Sequence, residues 1–239
     1  MRFTTIACIA ATAIISTASA RGGLLTSFDA YSASTALHNV DNWTAWNNIA
    51  ANAGVVSTDR AFSGANSIRI RGYTDAVQNY TGATSGAWSI SAKQYIASGQ
   101  TGLTYFIIMN NYIPNANTNA AQWSTQLRFD LAAGTVRDDF RGGSASIITN
   151  QWVDVRVDID LDNNRVSHFY NGVLLSSGTW TTGASSLRQI NALDLYTKDS
   201  NTTYYDDIIM AQVVPTPGAA AMAFSACALC GLPRRKPAR

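Results

Sequence analysis

Glutamate is absent from the chain, and all 15 acidic residues are aspartate. Cysteine is confined to the ends, at Cys8, Cys227 and Cys230, so the residues between them form no disulfide and must fold on buried area alone. Charged residues make up only 13% of the chain, and histidine occurs twice, at His38 and His168. With so few His and Cys, a zinc-type ligand cluster is excluded. No G-x-S-x-G elbow offers a nucleophile. The net charge of +2 is carried by the ends: without Arg2, Arg234, Arg235, Lys236 and Arg239, 12 basic residues face 15 Asp. The central region is therefore acidic, and nucleic acid is not an expected partner.

What is present is β-pattern. In the stretch 151–180, Val153, Val155, Val157, Ile159 and Leu161 alternate with Asp154, Arg156, Asp158 and Asp160, which is the signature of a half-buried strand. Asp162, Asn163 and Asn164 supply a turn, 165–170 returns, and Asn171-Gly172 is a strong hairpin signal before Val173, Leu174 and Leu175. Further strands are expected at 68–71, 87–95, 104–109, 122–131, 135–140, 147–157, 190–196 and 204–214. In the 122–131 segment, Trp123, Thr125, Leu127, Phe129 and Leu131 are expected to share the apolar face. His168 reads as a surface residue. Short strands separated by turns, with no helical period, predict an all-β sandwich.

The Trp152-led alternating strand, acidic turn and Phe169-Tyr170-Asn171-Gly172-Val173-Leu174 hairpin resemble the central hairpin of concanavalin A-like (laminin G-like) domains. The resemblance implies a two-sheet antiparallel jelly-roll sandwich. Phe28-Asp29 resembles the region of the family's first strand, and 204–214 its closing strand, which pairs beside the first. Family members often place a structural calcium between those strands, and the resemblance offers Asp29, Asp206 and Asp207 as its oxygen donors. It also brings in the laminarinase-like glycosidases, whose paired glutamates act as nucleophile and acid; without glutamate that motif cannot exist here. Asp158 and Asp160 share a strand face and are the Asp alternative, although a half-exposed strand needs a charged face in any case. The series Asp158, Asp160, Asp162, Asn164 imitates the start of an EF-hand loop but lacks its glycine and its closing acid.

The ends carry processing signals. Residues 1–20 combine Arg2, an apolar run and Ala18-Ser19-Ala20, the parts of a secretory signal peptide with cleavage after Ala20. Residues 214–239 run from a hinge containing Pro215 and Pro217 through an apolar stretch to a basic cluster. The apolar stretch is short of the roughly 20 residues that span a bilayer, and Cys227-x-x-Cys230 inside it reads as part of a small-residue membrane segment. The tail resembles the PEP-CTERM sorting signals read by exosortase-type enzymes, with Pro-Thr-Pro in place of Pro-Glu-Pro. Signal peptidase and such an enzyme are the implied partners, with transient or C-terminal membrane association, and residues 21–213 form the expected β-domain.

One ligand feature remains. Trp43 and Trp46 stand among polar residues, either as a platform on which sugar rings stack or as a plug at the sandwich edge. The expectation is a non-enzymatic, exported lectin-like protein that meets a surface glycan or exopolysaccharide. A ligand-free structural component of the envelope and an atypical Asp-based glycosidase are the alternatives.

Overall fold

The computed structural model describes residues 19–114, 121–183, 185–199 and 202–214. The apolar part of the N-terminal signal and the tail with Pro215 and Pro217 lie outside the described residues. No helix among the described residues is long and apolar enough to cross a membrane. The strands in chain order are β1 Ser19–Thr26, β2 Trp43–Ala45, β3 Val55–Ser57, β4 Ser67–Arg71, β5 Asp75–Ala83, β6 Ala87–Ile96, β7 Leu103–Asn111 and β8 Gln122–Asp130. They continue as β9 Thr135–Asp138, β10 Gly142–Ser146, β11 Trp152–Asp160, β12 Arg165–Tyr170, β13 Val173–Thr179, β14 Ile190–Lys198 and β15 Thr202–Val214.

These strands form two antiparallel sheets, as a jelly-roll sandwich requires. Sheet A runs β13-β12-β11-β6-β15-β4-β3, with β1 also on β15; sheet B runs β10-β9-β8-β7-β14-β5-β2. The closing strand thus does pair with the first, but the partner is β1, one step before Phe28. Ala20 sits in β1, so cleavage after it would leave most of that strand in place. Contacts group Arg21–Val213 as one compact unit.

Alternation explains the core. Val153, Val155, Val157 and Ile159 of β11 all point between the sheets and are at most 2% exposed. Each such side chain contributes roughly 1.5–3 kcal/mol of transfer free energy. Phe106 and Ile108 of β7, Leu127 and Phe129 of β8, and Leu193 and Leu195 of β14 meet them from sheet B. At the β12–β13 hairpin Asn171 and Gly172 both have positive φ, 50° and 75°, the conformation a two-residue I′ turn demands. At the β11–β12 turn, Asp160 accepts bonds from the backbone N–H and side-chain amide of Asn163 at 2.9 and 2.8 Å. Those bonds hold its carboxyl below the ordinary range and occupy it structurally.

Several expectations are corrected. The strand expected at 147–157 begins at Trp152, and β10 precedes it as a separate edge strand. β2 and β5 were not legible, because β5 is buried on both faces and its pattern does not alternate. Trp123 leaves the inner face: register shifts in the β7–β8 ladder around Met109 re-aim it to the outer surface, as β-bulges do.

His168 is not a surface residue but is 0% exposed between the sheets. Its Nε2 lies 3.0 Å from Thr125 Oγ1 of sheet B, and its Nδ1 lies 3.0 Å from Ser176 Oγ. Ser176 in turn donates to Asp138 Oδ2 at 2.8 Å, and Arg141 reaches the same carboxylate at 3.5 Å while donating to the carbonyls of Ser124 and Thr179. With the Ser176 proton committed to Asp138, the consistent tautomer has Nδ1–H donating and Nε2 accepting from Thr125. Burial pushes the imidazole pKa down to about 4, against the opposing Asp138 charge and with the aid of Arg141. The 3.3 Å His168–Asp138 approach is therefore a contact of a neutral ring rather than an ion pair. This set cross-links the sheets and has no open face for a substrate.

Candidate functional site

The outer face of sheet B carries a groove. On β7 the alternation that sends Phe106 and Ile108 inward sends Tyr105, Ile107 and Met109 outward; on β14 it sends Ala192, Asp194 and Tyr196 to the same side. Register fixes their neighbours. Tyr196 stands opposite Tyr105 on one flank and opposite Asp75 on the other, and Asp194 stands opposite Ile107. Tyr105 and Tyr196 stack with ring centroids 5.5 Å apart and planes at 20°. Trp123 comes to this face through the β8 irregularity, and Trp46 through a one-turn 3-10 segment, Trp46–Asn48, after β2. The Trp46 ring packs 5.1 Å from that of Tyr112, whose hydroxyl accepts the Asn47 N–H at 3.1 Å.

Trp46, Asp75, Tyr105, Ile107, Trp123, Gln126, Asp194 and Tyr196 line an open hollow of about 280 Å³. That is near the lower end of small-ligand sites and suits a ring-sized group. The ring faces supply apolar area, while the phenols and the Gln126 amide supply polar contacts. Burial raises the pKa of both Tyr105 and Tyr196, so both phenols stay protonated in the neutral range.

The floor holds an acid pair. The carboxyls of Asp75 and Asp194 hydrogen-bond to each other, and Oδ1 of each is buried with no N–H or O–H donor from any other described residue. Two bare carboxylates repel at that range, so one proton is shared. Burial pushes Asp75 up to about 6, opposed by its bond to Asp194. Burial first, then the Asp75 charge and hydrogen bond, raises Asp194 well above the carboxylate range. Asp194 therefore holds the proton near neutrality. Carboxyls in hydrogen-bond contact are too close for the two-carboxylate glycosidase arrangement, which needs roughly 5–9.5 Å between them.

The residues expected from the sequence divide. Trp46 lines the groove, but Trp43 does not: it is 2% exposed and packs at 5.8 Å on Phe28 in the core, so the two tryptophans form no common platform. Asp158 bonds Ser89 on sheet A, remote from the groove in the fold. The calcium donors do not assemble either. Asp29 Oδ1 accepts from Ala65 N and Asn66 N at 2.8 and 3.0 Å. Asp206 Oδ2 accepts from Phe62 N and Ser63 N at 2.7 and 3.1 Å, and Asp207 Oδ1 from Ser63 Oγ at 2.7 Å. The three carboxylates clamp the β3–β4 loop from two sides. Among the described residues no group of three or more His, Cys or acidic side chains is arranged to hold a metal. Asp75, Asp194, Tyr105, Trp123 and Tyr196 were missed; alternation in 190–196 could have placed Asp194 and Tyr196 on one face, but nothing local marks their partners on other strands.

Neither a family model nor a curated protein matches the chain. Solved structures do. A Bacillus subtilis protein of unknown function with a galectin-like fold superposes with a TM-score of 0.54 at 10% identity, over 84% of this chain and 100% of that one. An endo-β-1,4-glucuronan lyase from Trichoderma reesei gives 0.50 at 11% identity, over 76% and 96%. A sialidase gives 0.55 at 8% identity, over 89% of this chain and 21% of its own, so the chain spans about a fifth of that protein. Identities this low establish the shared β-sandwich fold alone.

Proposed function

We propose that this chain is a non-catalytic glycan-binding β-sandwich, exported to the cell surface or extracellular matrix, that takes a sugar in the outer groove of sheet B. The observation that carries the reading is the groove itself: four aromatic side chains, Trp46, Tyr105, Trp123 and Tyr196, converge around hydrogen-bonding groups on an open face. Sugar rings present apolar faces and hydroxyl edges, and such a lining matches both. The fold neighbours include a lyase and a protein of unknown function, so the fold leaves binding and catalysis equally open. Binding without turnover is supported by the shortness of the acid pair and by the absence of Lys, Arg and His among the described residues of the groove lining, where a uronate lyase must neutralise its substrate's carboxylate. Export rests on the signal-like residues 1–20 and the tail 214–239, where Pro215 and Pro217 open a sorting signal of the PEP-CTERM kind.

The test is a glycan-array screen followed by tryptophan-fluorescence titration. A bound oligosaccharide should perturb the emission, and Trp46→Ala should weaken its affinity roughly tenfold or more without unfolding the protein. Absence of binding across the array, or full affinity in Trp46→Ala, overturns the reading. Intact-mass analysis of the protein from its own cells tests export: a chain starting at Arg21 and ending near Pro217 is expected, and an unprocessed chain refutes it.

A further inference from the structure

We infer that the groove is selective for an amine-bearing sugar, whose ammonium group sits at the Asp75–Asp194 pair while its ring lies against the aromatic lining. This rests on the glycan-binding reading and names the ligand class. Among the described residues the lining contains two acids, four aromatics, Ile107 and Gln126, and no cation. Arg128 of β8, opposite Tyr105 in the ladder, lies 3.5 Å from Asp139, which also takes Arg137 at 3.0 Å and the Gln126 amide at 2.9 Å. Asp194 is only 4% exposed, yet apart from the proton shared by the two acids its Oδ1 receives no donor from the described residues, and the same holds for Asp75 Oδ1. Inside the protein such acceptors are almost always matched, so the floor is short of N–H or O–H donors. An ammonium brings three donors and a positive charge, and its hydrogen bonds to a carboxylate are about twice as strong as neutral ones. Aromatic faces around it add cation–π attraction, worth more where water is thinned out. A uronate would instead set its charge beside the acid pair with no cation among the described lining residues to offset it.

Ionisation of the pair makes the selectivity depend on pH. The titratable groups facing it are the phenols of Tyr105 on β7, Tyr112 just after β7 and Tyr196 on β14, with Tyr205 of β15 on the inner side; burial raises all four. The Arg128–Asp139 pair stands on the β8–β9 side. With the phenols neutral, Asp75 is the group that changes charge between mildly acid and neutral solution. The pair gains its negative charge as pH rises, and affinity for an ammonium rises with it, while affinity for an uncharged sugar stays level.

Isothermal titration of the full chain tests this with oligomers of glucosamine, their N-acetylated counterparts, neutral gluco-oligomers and oligo-alginate, at about pH 5 and about pH 7. The glucosamine oligomer should bind roughly tenfold tighter than its N-acetylated form near neutrality, and the preference should shrink severalfold at the acid pH. Asp75→Asn should abolish the preference; if that variant does not fold, the pH comparison on the unsubstituted protein tests the same point. Equal affinity for amine and N-acetyl oligomers, or preference for oligo-alginate, overturns the inference and leaves the glycan-binding reading standing. Failure of every oligomer to bind overturns both.

Discussion

Protonation of His168 should be one of the main events of acid unfolding, and its contribution can be isolated. The ring is fully buried, and burial lowers its pKa to about 4 from an ordinary value near 6.5. The unfolded chain therefore binds a proton in the window between about 6.5 and about 4 that the folded chain refuses. Stability from this group is fully present above the upper limit and lost as pH falls through the window, by about 3 kcal/mol in all. The slope at its steepest approaches about 1.4 kcal/mol per pH unit, one proton taken up per molecule unfolded. His168→Gln keeps a side chain that can still meet Thr125 and Ser176 but removes the titration. Urea unfolding of both proteins from about pH 4 to pH 7.5 should show the variant less stable near neutrality, by roughly 1–3 kcal/mol, with the two curves converging as the solution is acidified. Curves that stay parallel, or an NMR titration placing the His168 pKa near its ordinary value, would refute the buried neutral ring.

Opposite linkage is expected at the groove. Asp75 is raised to about 6, so the stability it contributes is present in acid and lost as pH rises from about 4 to about 6; Asp75→Asn should be more stable than the parent near neutrality by roughly 1–3 kcal/mol, an advantage that vanishes near pH 4 in the same urea series. The two tryptophans should separate cleanly in thermal melts: Trp43→Ala empties the core beside Phe28 and costs roughly 3–5 kcal/mol, while Trp46→Ala costs about 1 kcal/mol and registers in ligand titration. Gly64 has φ +58° and lies against the Asp29 carboxylate, so Gly64→Ala should displace Asp29 from Ala65 and Asn66 and lower stability by roughly 1–3 kcal/mol, measured as a shift in urea midpoint.

The parts of this fold that were legible are those in which one face meets water. β11 alternates because its outer residues Asp154, Arg156 and Asp158 are solvated, and the Asn171-Gly172 turn announces itself through residues that accept positive φ. β5 was illegible for the opposite reason. Its outer face is covered by groove residues, Val77 being packed with Tyr112 and Trp46, so apolar residues occur on both sides and the period disappears. Alternation in β12 puts His168 on the inner face with Val166 and Tyr170, but nothing local announces the partners that permit a polar residue there, since Thr125, Ser176 and Asp138 are brought to it from three other strands. The acid pair is likewise a product of register: Asp75 and Asp194 are far apart in sequence and meet because β5 and β14 pair with Tyr196 opposite Asp75.

The polar cluster around Asp138 and the one around Asp75 and Asp194 are both buried, and their contrast separates a structural role from a binding one. Around Asp138, partners close the set: Ser176 and Arg141 serve one oxygen, the Phe140 N–H serves the other at 2.9 Å, and the His168 ring is spanned by Thr125 and Ser176. Such a closed network stabilises sheet packing and has nothing left to offer a ligand. At Asp75 and Asp194 the set is open, since among the described residues the two buried Oδ1 atoms find no donor beyond the proton that the acids share. Asparagine at either position would supply an N–H and remove the like-charge conflict, so the pair is a poor choice for stability alone. A group that destabilises the free fold at neutral pH while facing an accessible aromatic hollow is better matched by what enters that hollow than by anything in the chain.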